Sequence, residues 1–228
     1  MELLFLRVLT SPVIVWILKT NLVSQLLMLV VPYLQQQDPL PYHGGDMAPD
    51  NVGLIYLVSY ASESDKLTIL SIDTTLLATH YSKQYPNAFV IGCEFRDNPR
   101  GASEWQDKCK LFKTQRIFCA GKATNTIDED KLIMKKVDEL GINLQYQKVI
   151  VVGNGAHIRR VRLVLNHYHP NMNFCFRCTD AITNDPHNPM KAQRLWQTWV
   201  IANLVGIPFY KLLGVEYFAK KNLSQPTD

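Results

Sequence analysis

The segment Gly153-Asn154-Gly155-Ala156-His157-Ile158-Arg159-Arg160 sets an imidazole and two guanidinium groups within a turn and a half of a glycine-containing loop. Where such a loop opens a helix, the unbonded backbone N–H groups carry roughly half a positive charge and favour an anion. Arginine adds a planar fork that suits phosphate or carboxylate. The octet is therefore read as an anion-binding arrangement, with Gly153, Asn154, Gly155, Arg159 and Arg160 as ligand contacts. His157 is the candidate general acid or base, since an imidazole of ordinary pKa, about 6.5, gives or takes a proton near neutrality. The plainer alternative makes Arg159 and Arg160 a solvated face and His157 a satisfied loop residue. The octet lacks the Gly-Lys-Ser/Thr ending of a Walker loop, and its one glycine pair does not match the dinucleotide fingerprint.

A second polar run, Thr124-Asn-Thr-Ile-Asp-Glu129, opens another helix. Thr126 with Glu129 has the spacing of a capping box, so Thr126 is expected at the N-cap, and Asn125, Thr126 and Asp128 are together read as ligand contacts. Glu104 stands near the start of a further helix. There a carboxylate complements the helix dipole, and it is also the second catalytic candidate. Glu104 and Asp128 could hydrogen-bond sugar hydroxyls or orient the imidazole. The sequence contains no Gly-x-Ser-x-Gly elbow and no His-Glu-x-x-His pair, and no metal ligands are assigned.

These groups need elements to position them. Short apolar, β-branched runs occur at residues 54–58, 88–91, 116–119, 148–152 and 172–176, and the fourth is nearly continuous, as a central parallel strand covered on both faces requires. Between them lie helical patterns, one after a loop at residues 62–65 running through Leu76, Leu77 and Tyr81, and others at residues 103–112, 127–140, 157–167 and 192–204. Alternation of this kind predicts an α/β fold: a three-layer α/β/α, doubly wound, Rossmann-like domain with a mainly parallel sheet of about five strands. Ligands of such sheets bind outside the carboxyl ends of the strands, where all the residues above are expected to fall.

With 228 residues, 47% of them hydrophobic and 19% charged, the chain can bury one sizeable core. Its 24 basic and 20 acidic residues are spread along it, so no footprint for nucleic acid stands out, and a small anionic ligand is the expected partner. Residues 1–50 are read as an apolar helical segment plus a Pro/Gly linker beginning at Gln35, and residues 51–228 as the α/β domain. Residues 3–34 are rich in Leu, Val and Ile, yet Arg7, Pro12, Lys19, Asn21 and Gln25 interrupt them before a membrane-spanning length is reached. Two short helices packed on the domain, association with a membrane surface, and a signal-peptide core at residues 8–18 all fit this composition. Five cysteines cannot all pair within one chain, which favours a reducing compartment, cytoplasmic or at the cytoplasmic membrane. Cys175 and Cys178 form a Cys-x-x-Cys, but on a strand that spacing turns them to opposite faces.

Taken in order, Ser103-Glu104 after the second strand, Asn125-Thr126-Ile127-Asp128 after the third and His157 with Arg160 after the fourth resemble the bacterial YdcF, SanA and ElyC family. The resemblance covers residues 54–213, with Asp128 where that family carries Glu. It implies a doubly wound α/β domain, a small-ligand site, and a link to envelope biogenesis and lipid-linked envelope precursors. It also brings S-adenosylmethionine into view as a cofactor, and a membrane-anchoring amino-terminal segment. Where family members have glycine-rich loops after the first two strands, this chain has Val58-Ser-Tyr-Ala-Ser62 and Gly92-Cys-Glu-Phe95. That difference supports a rival reading: a catalytically inactive, membrane-associated protein with the same fold.

Overall fold

The computed structural model describes residues 10–38, 51–63, 66–95, 104–112 and 114–217. Five parallel strands, β1 (Val52–Leu57), β2 (Phe89–Phe95), β3 (Ile117–Ala123), β4 (Lys148–Asn154) and β5 (Asn173–Thr179), form one sheet in the order β3-β2-β1-β4-β5. The order reverses direction at β1, so the sheet is doubly wound, as the alternating sequence predicts. Side chains of successive strand residues point to opposite faces. Leu54 and Tyr56 accordingly join the core on one face, and Ile55 and Leu57 join that on the other.

Two helices cover the second face: α4 (Ile69–Gln84) and α5 (Glu104–Leu111) supply Ala78, Tyr81 and Trp105 to its cluster. The first face carries α6 (Thr126–Glu139), α7 (Ile158–Tyr168) and α8 (Trp196–Leu213), with Ile133, Val161, Leu165 and Trp199 facing the sheet. Three short helices belong to the same layer. They are α1 (Pro12–Leu18), α2 (Asn21–Met28) and α3 (Val31–Leu34), and their Leu18, Val31 and Leu34 enter the same core as the sheet. The first four residues of the expected linker, Gln35–Asp38, lie along β5: Asp38 N donates to the Phe176 carbonyl at 3.2 Å, and the Asp38 carboxylate accepts from Phe176 N at 2.7 Å. The rest of that linker, with its prolines at 39, 41 and 49, and the amino-terminal nine residues lie outside the described residues.

Four strands run past the ends read from the sequence, β5 among them, which continues to Thr179. β2 continues to Phe95, β3 passes through Gly121 at φ 133° to Ala123, and β4 includes Gly153 and Asn154, which pair with Cys178 and Thr179. The last helix also differs. It begins at Trp196 rather than Ala192 and runs through Gly206 and Pro208 to Leu213, because Ile207 and Tyr210 bury beyond the expected stop while Pro208 faces solvent.

Candidate functional site

In a doubly wound sheet the crevice lies where neighbouring crossovers depart to opposite faces. Here that point is between the carboxyl ends of β1 and β4, and Tyr60 and His157 meet across it. The Tyr60 phenol oxygen accepts from Asn154 N at 2.6 Å and sits 3.3 Å from His157 Nδ1. Arg160 Nη2 lies 3.0 Å from His157 Nε2. A guanidinium has donors only, so Nε2 must offer its lone pair and the ring proton is assigned to Nδ1, which donates to Tyr60. Thr126 Oγ1, 3.2 Å from the same Nε2, is then a second donor to it. Burial, and secondarily the Arg160 charge, hold the imidazole well below its usual pKa of 6.5. His157 is thus a neutral anchor that orients Thr126 and Arg160, and proton transfer through Nε2 requires both donors to let go.

The remainder of the octet is a closed turn. Gly155 N donates to the Thr179 carbonyl (3.1 Å), Ala156 N to Asn154 Oδ1 (3.0 Å) and His157 N to the Asn154 carbonyl (2.9 Å). Asn154, fully buried, also donates to the Asp180 carbonyl at 2.8 Å and accepts from Trp199 Nε1 at 3.1 Å. An Asn side chain that folds onto its own backbone satisfies the loop donors internally, so these three N–H groups are not presented to an anion. Arg159 departs as well. It donates to the Tyr33 carbonyl (2.9 Å) and Gln36 Oε1 (2.6 Å), with its guanidinium 3.6 Å from the Tyr33 ring centre. Of the cations in the octet, Arg160 alone stays with His157, above the Trp199 ring.

At the start of α6 the cap is one residue earlier than the Thr126–Glu129 spacing predicts. Asn125 is the N-cap, its Oδ1 accepting from Ile127 N (2.9 Å) and Asp128 N (3.0 Å), while Asp128 Oδ2 reaches back to Thr124 N at 3.0 Å. Asn outranks Thr at this position, and Asn125-x-x-Asp128 offers the same spacing. The shift commits Asn125 and Asp128 to the cap and releases two side chains inward: Thr126 to His157, and Glu129 to Ser59 N at 2.7 Å. The sequence gives Glu129 only as a capping partner, not as a site residue. Burial drives its carboxyl up from 4.5 to about 7, against the lowering pull of Ser59 and Lys108.

Glu104 begins α5, as expected, but it does not reach His157. Its Oε2 accepts from Phe95 N (3.0 Å) and its Oε1 pairs with Lys108 Nζ (2.6 Å), both side chains being wholly buried. Lys108 also donates to the Cys93 carbonyl at 3.2 Å, and the Ser59 hydroxyl hydrogen-bonds that same carbonyl. Glu104 therefore pins the end of β2 and joins Glu129 only through this relay. Ser103, the other member of the Ser103-Glu104 pair, lies outside the described residues.

No protein-family model matches the chain, and no curated protein or solved structure matches it either. Three strand-end segments, after β1, β3 and β4, converge on one imidazole and supply a half-buried guanidinium, a hydroxyl and, close by, a carboxyl that is protonated for part of the time at neutral pH. Among the described residues no group of His, Cys, Asp and Glu side chains could hold a metal ion. The place beside β1 where a glycine-rich loop would leave room is occupied by Tyr60, whose oxygen stands 3.3 Å from where a Cβ on Gly153 would be.

Proposed function

We propose that the chain is a small-ligand-binding domain of the YdcF and ElyC kind, taking a phosphate-bearing or nucleoside-containing molecule of envelope-related metabolism at the β1/β4 crevice. The carrying observation is that Tyr60, Thr126 and Arg160, from three separate segments, lie within 3.3 Å of His157. In this reading Arg160 grips the anionic group through a fork that His157 keeps aimed. Ser59 and Glu129 meet ligand hydroxyls, a protonated carboxyl being able to donate as well as accept. Binding is the core of the proposal. Catalysis would call on Glu129 before His157, because the imidazole is already engaged.

Thermal shift against inorganic phosphate, nucleotides and sugar phosphates tests it. A ligand at a hundred times its Kd should raise the Tm by about 5–10 °C. Arg160→Ala should weaken that ligand about tenfold or more, since a charge-assisted hydrogen bond contributes roughly 1.5–3 kcal/mol. Equal shifts in wild type and variant would end the proposal.

A second reading, a non-catalytic protein that works through its amino-terminal helices, is favoured by the closed Gly155–His157 turn. It predicts that no anion in the panel moves the wild-type Tm.

A further inference from the structure

The helices α1 and α2 are apolar on both sides. One side, Ile14, Leu18, Val23 and Leu27, packs on the main core. The other side faces water: Val13 is 67% exposed, Trp16 72%, Leu22 67%, Leu26 56% and Leu29 77%. Helix α1 is apolar throughout and α2 is apolar apart from Asn21, Ser24 and Gln25, and an exposed apolar patch of this extent marks an interaction surface.

We propose that this outer face docks on an anionic lipid surface, with α1 and α2 lying in the plane of the interface. Charge selects this occupant. Residues 10–37 contain no acidic side chain, and their single charge, the exposed Lys19, sits in the turn between the two helices. A lysine beside exposed Trp and Leu can bury its stem among acyl chains and raise its ammonium to the headgroups. Length fixes the orientation. Helices of 7 and 8 residues reach only ~10–12 Å at about 1.5 Å per residue, and no helix among the described residues is long and apolar enough to cross a membrane. The inner face ties the helices to the domain, with Gln197 of α8 donating to Ser24 of α2 at 3.2 Å. Docking would therefore carry the whole domain to the surface. The inference stands independently of any ligand at His157.

The test is flotation of the full chain with phosphatidylcholine vesicles, with and without about a third phosphatidylglycerol, together with quenching by brominated lipid. Trp16 gives a local signal, because Trp196 and Trp199 are buried and Trp105 packs on the opposite face of the sheet. The wild type should float with anionic vesicles and lose Trp16 fluorescence to the bromines. The triple variant Trp16→Ser, Leu22→Ser, Leu29→Ser should lose more than tenfold in partitioning while keeping its circular dichroism, since all three side chains are already in water. Lys19→Glu should weaken anionic binding several-fold and leave neutral vesicles unaffected. Absence of flotation, binding without quenching, or a triple variant that floats like wild type would overturn the proposal. So would a dimer in solution that the triple variant abolishes, because that would give the face to a second copy of the chain.

Discussion

Glu129 and His157 sit on opposite sides of a protonation balance. The Glu129 carboxyl titrates near 4.5 when unfolded and at about 7 when folded, so the native state holds the extra proton and stability falls as pH rises through 7. His157 is held well below 6.5, so its contribution is complete above that value and is lost as pH falls. Below pH 6.5 the two contributions have opposite signs and offset each other. Above 6.5 Glu129 acts alone and should remove about 1 kcal/mol by pH 8. Glu129→Gln should abolish that decline and uncover a rise with pH below 6.5, measured by urea denaturation across the range; parallel curves for wild type and variant would show that Glu129 carries no raised pKa. This residue was hidden in the sequence by a one-residue cap shift. Thr126–Glu129 and Asn125–Asp128 share one spacing, and only the packing of α6 on the sheet decides which pair faces the solvent. His157, Thr126 and Arg160 were legible because their order along the chain places them at strand ends. Glu104 was placed on the right helix, but its partner Lys108, one turn on, was not weighed.

The five strands could be read from apolar, β-branched runs because a parallel sheet covered on both faces leaves few polar positions within them. Their carboxyl ends could not. Gly121, Lys122, Gly153 and Asn154 look like loop residues, yet they continue the ladder, since pairing to an adjacent strand overrides local propensity. Gly155 shows how little slack the β4–α7 connection retains: a Cβ there would lie 2.7 Å from the Thr179 carbonyl and 2.7 Å from Gln35 Cγ. Gly155→Ala should cost about 1–3 kcal/mol through this overpacking, seen as a lowered Tm. Gly206→Ala is the matched control. Its added methyl meets Arg160 no closer than 3.6 Å within α8, so helix propensity should make it neutral or up to ~1 kcal/mol stabilising. The same Tm for both variants would contradict the tight turn.

At the scale of the molecule, composition divides the chain near residue 50, but the core is not divided there. Leu34 is fully buried among sheet residues, so Leu34→Ala should destabilise the whole fold in one transition by about 2–4 kcal/mol, read from denaturant midpoints. A separate early transition, with the sheet unaffected, would restore the division. Gln35–Asp38 form no helix or strand, as their composition predicts, but composition says nothing about the strand they lie along. Asp38 has a consequence of its own. β5 ends the sheet, and an uncovered last strand presents a row of backbone donors and acceptors on which another chain can build amyloid-like ladders. The Asp38 carboxylate takes the Phe176 donor and is itself neutralised by two bonds from Arg162, of 2.9 and 3.0 Å. Strand addition there is blocked at mid-strand by an ion pair, so among the described residues intermolecular sheet growth would have to start from β3, the other end of the sheet.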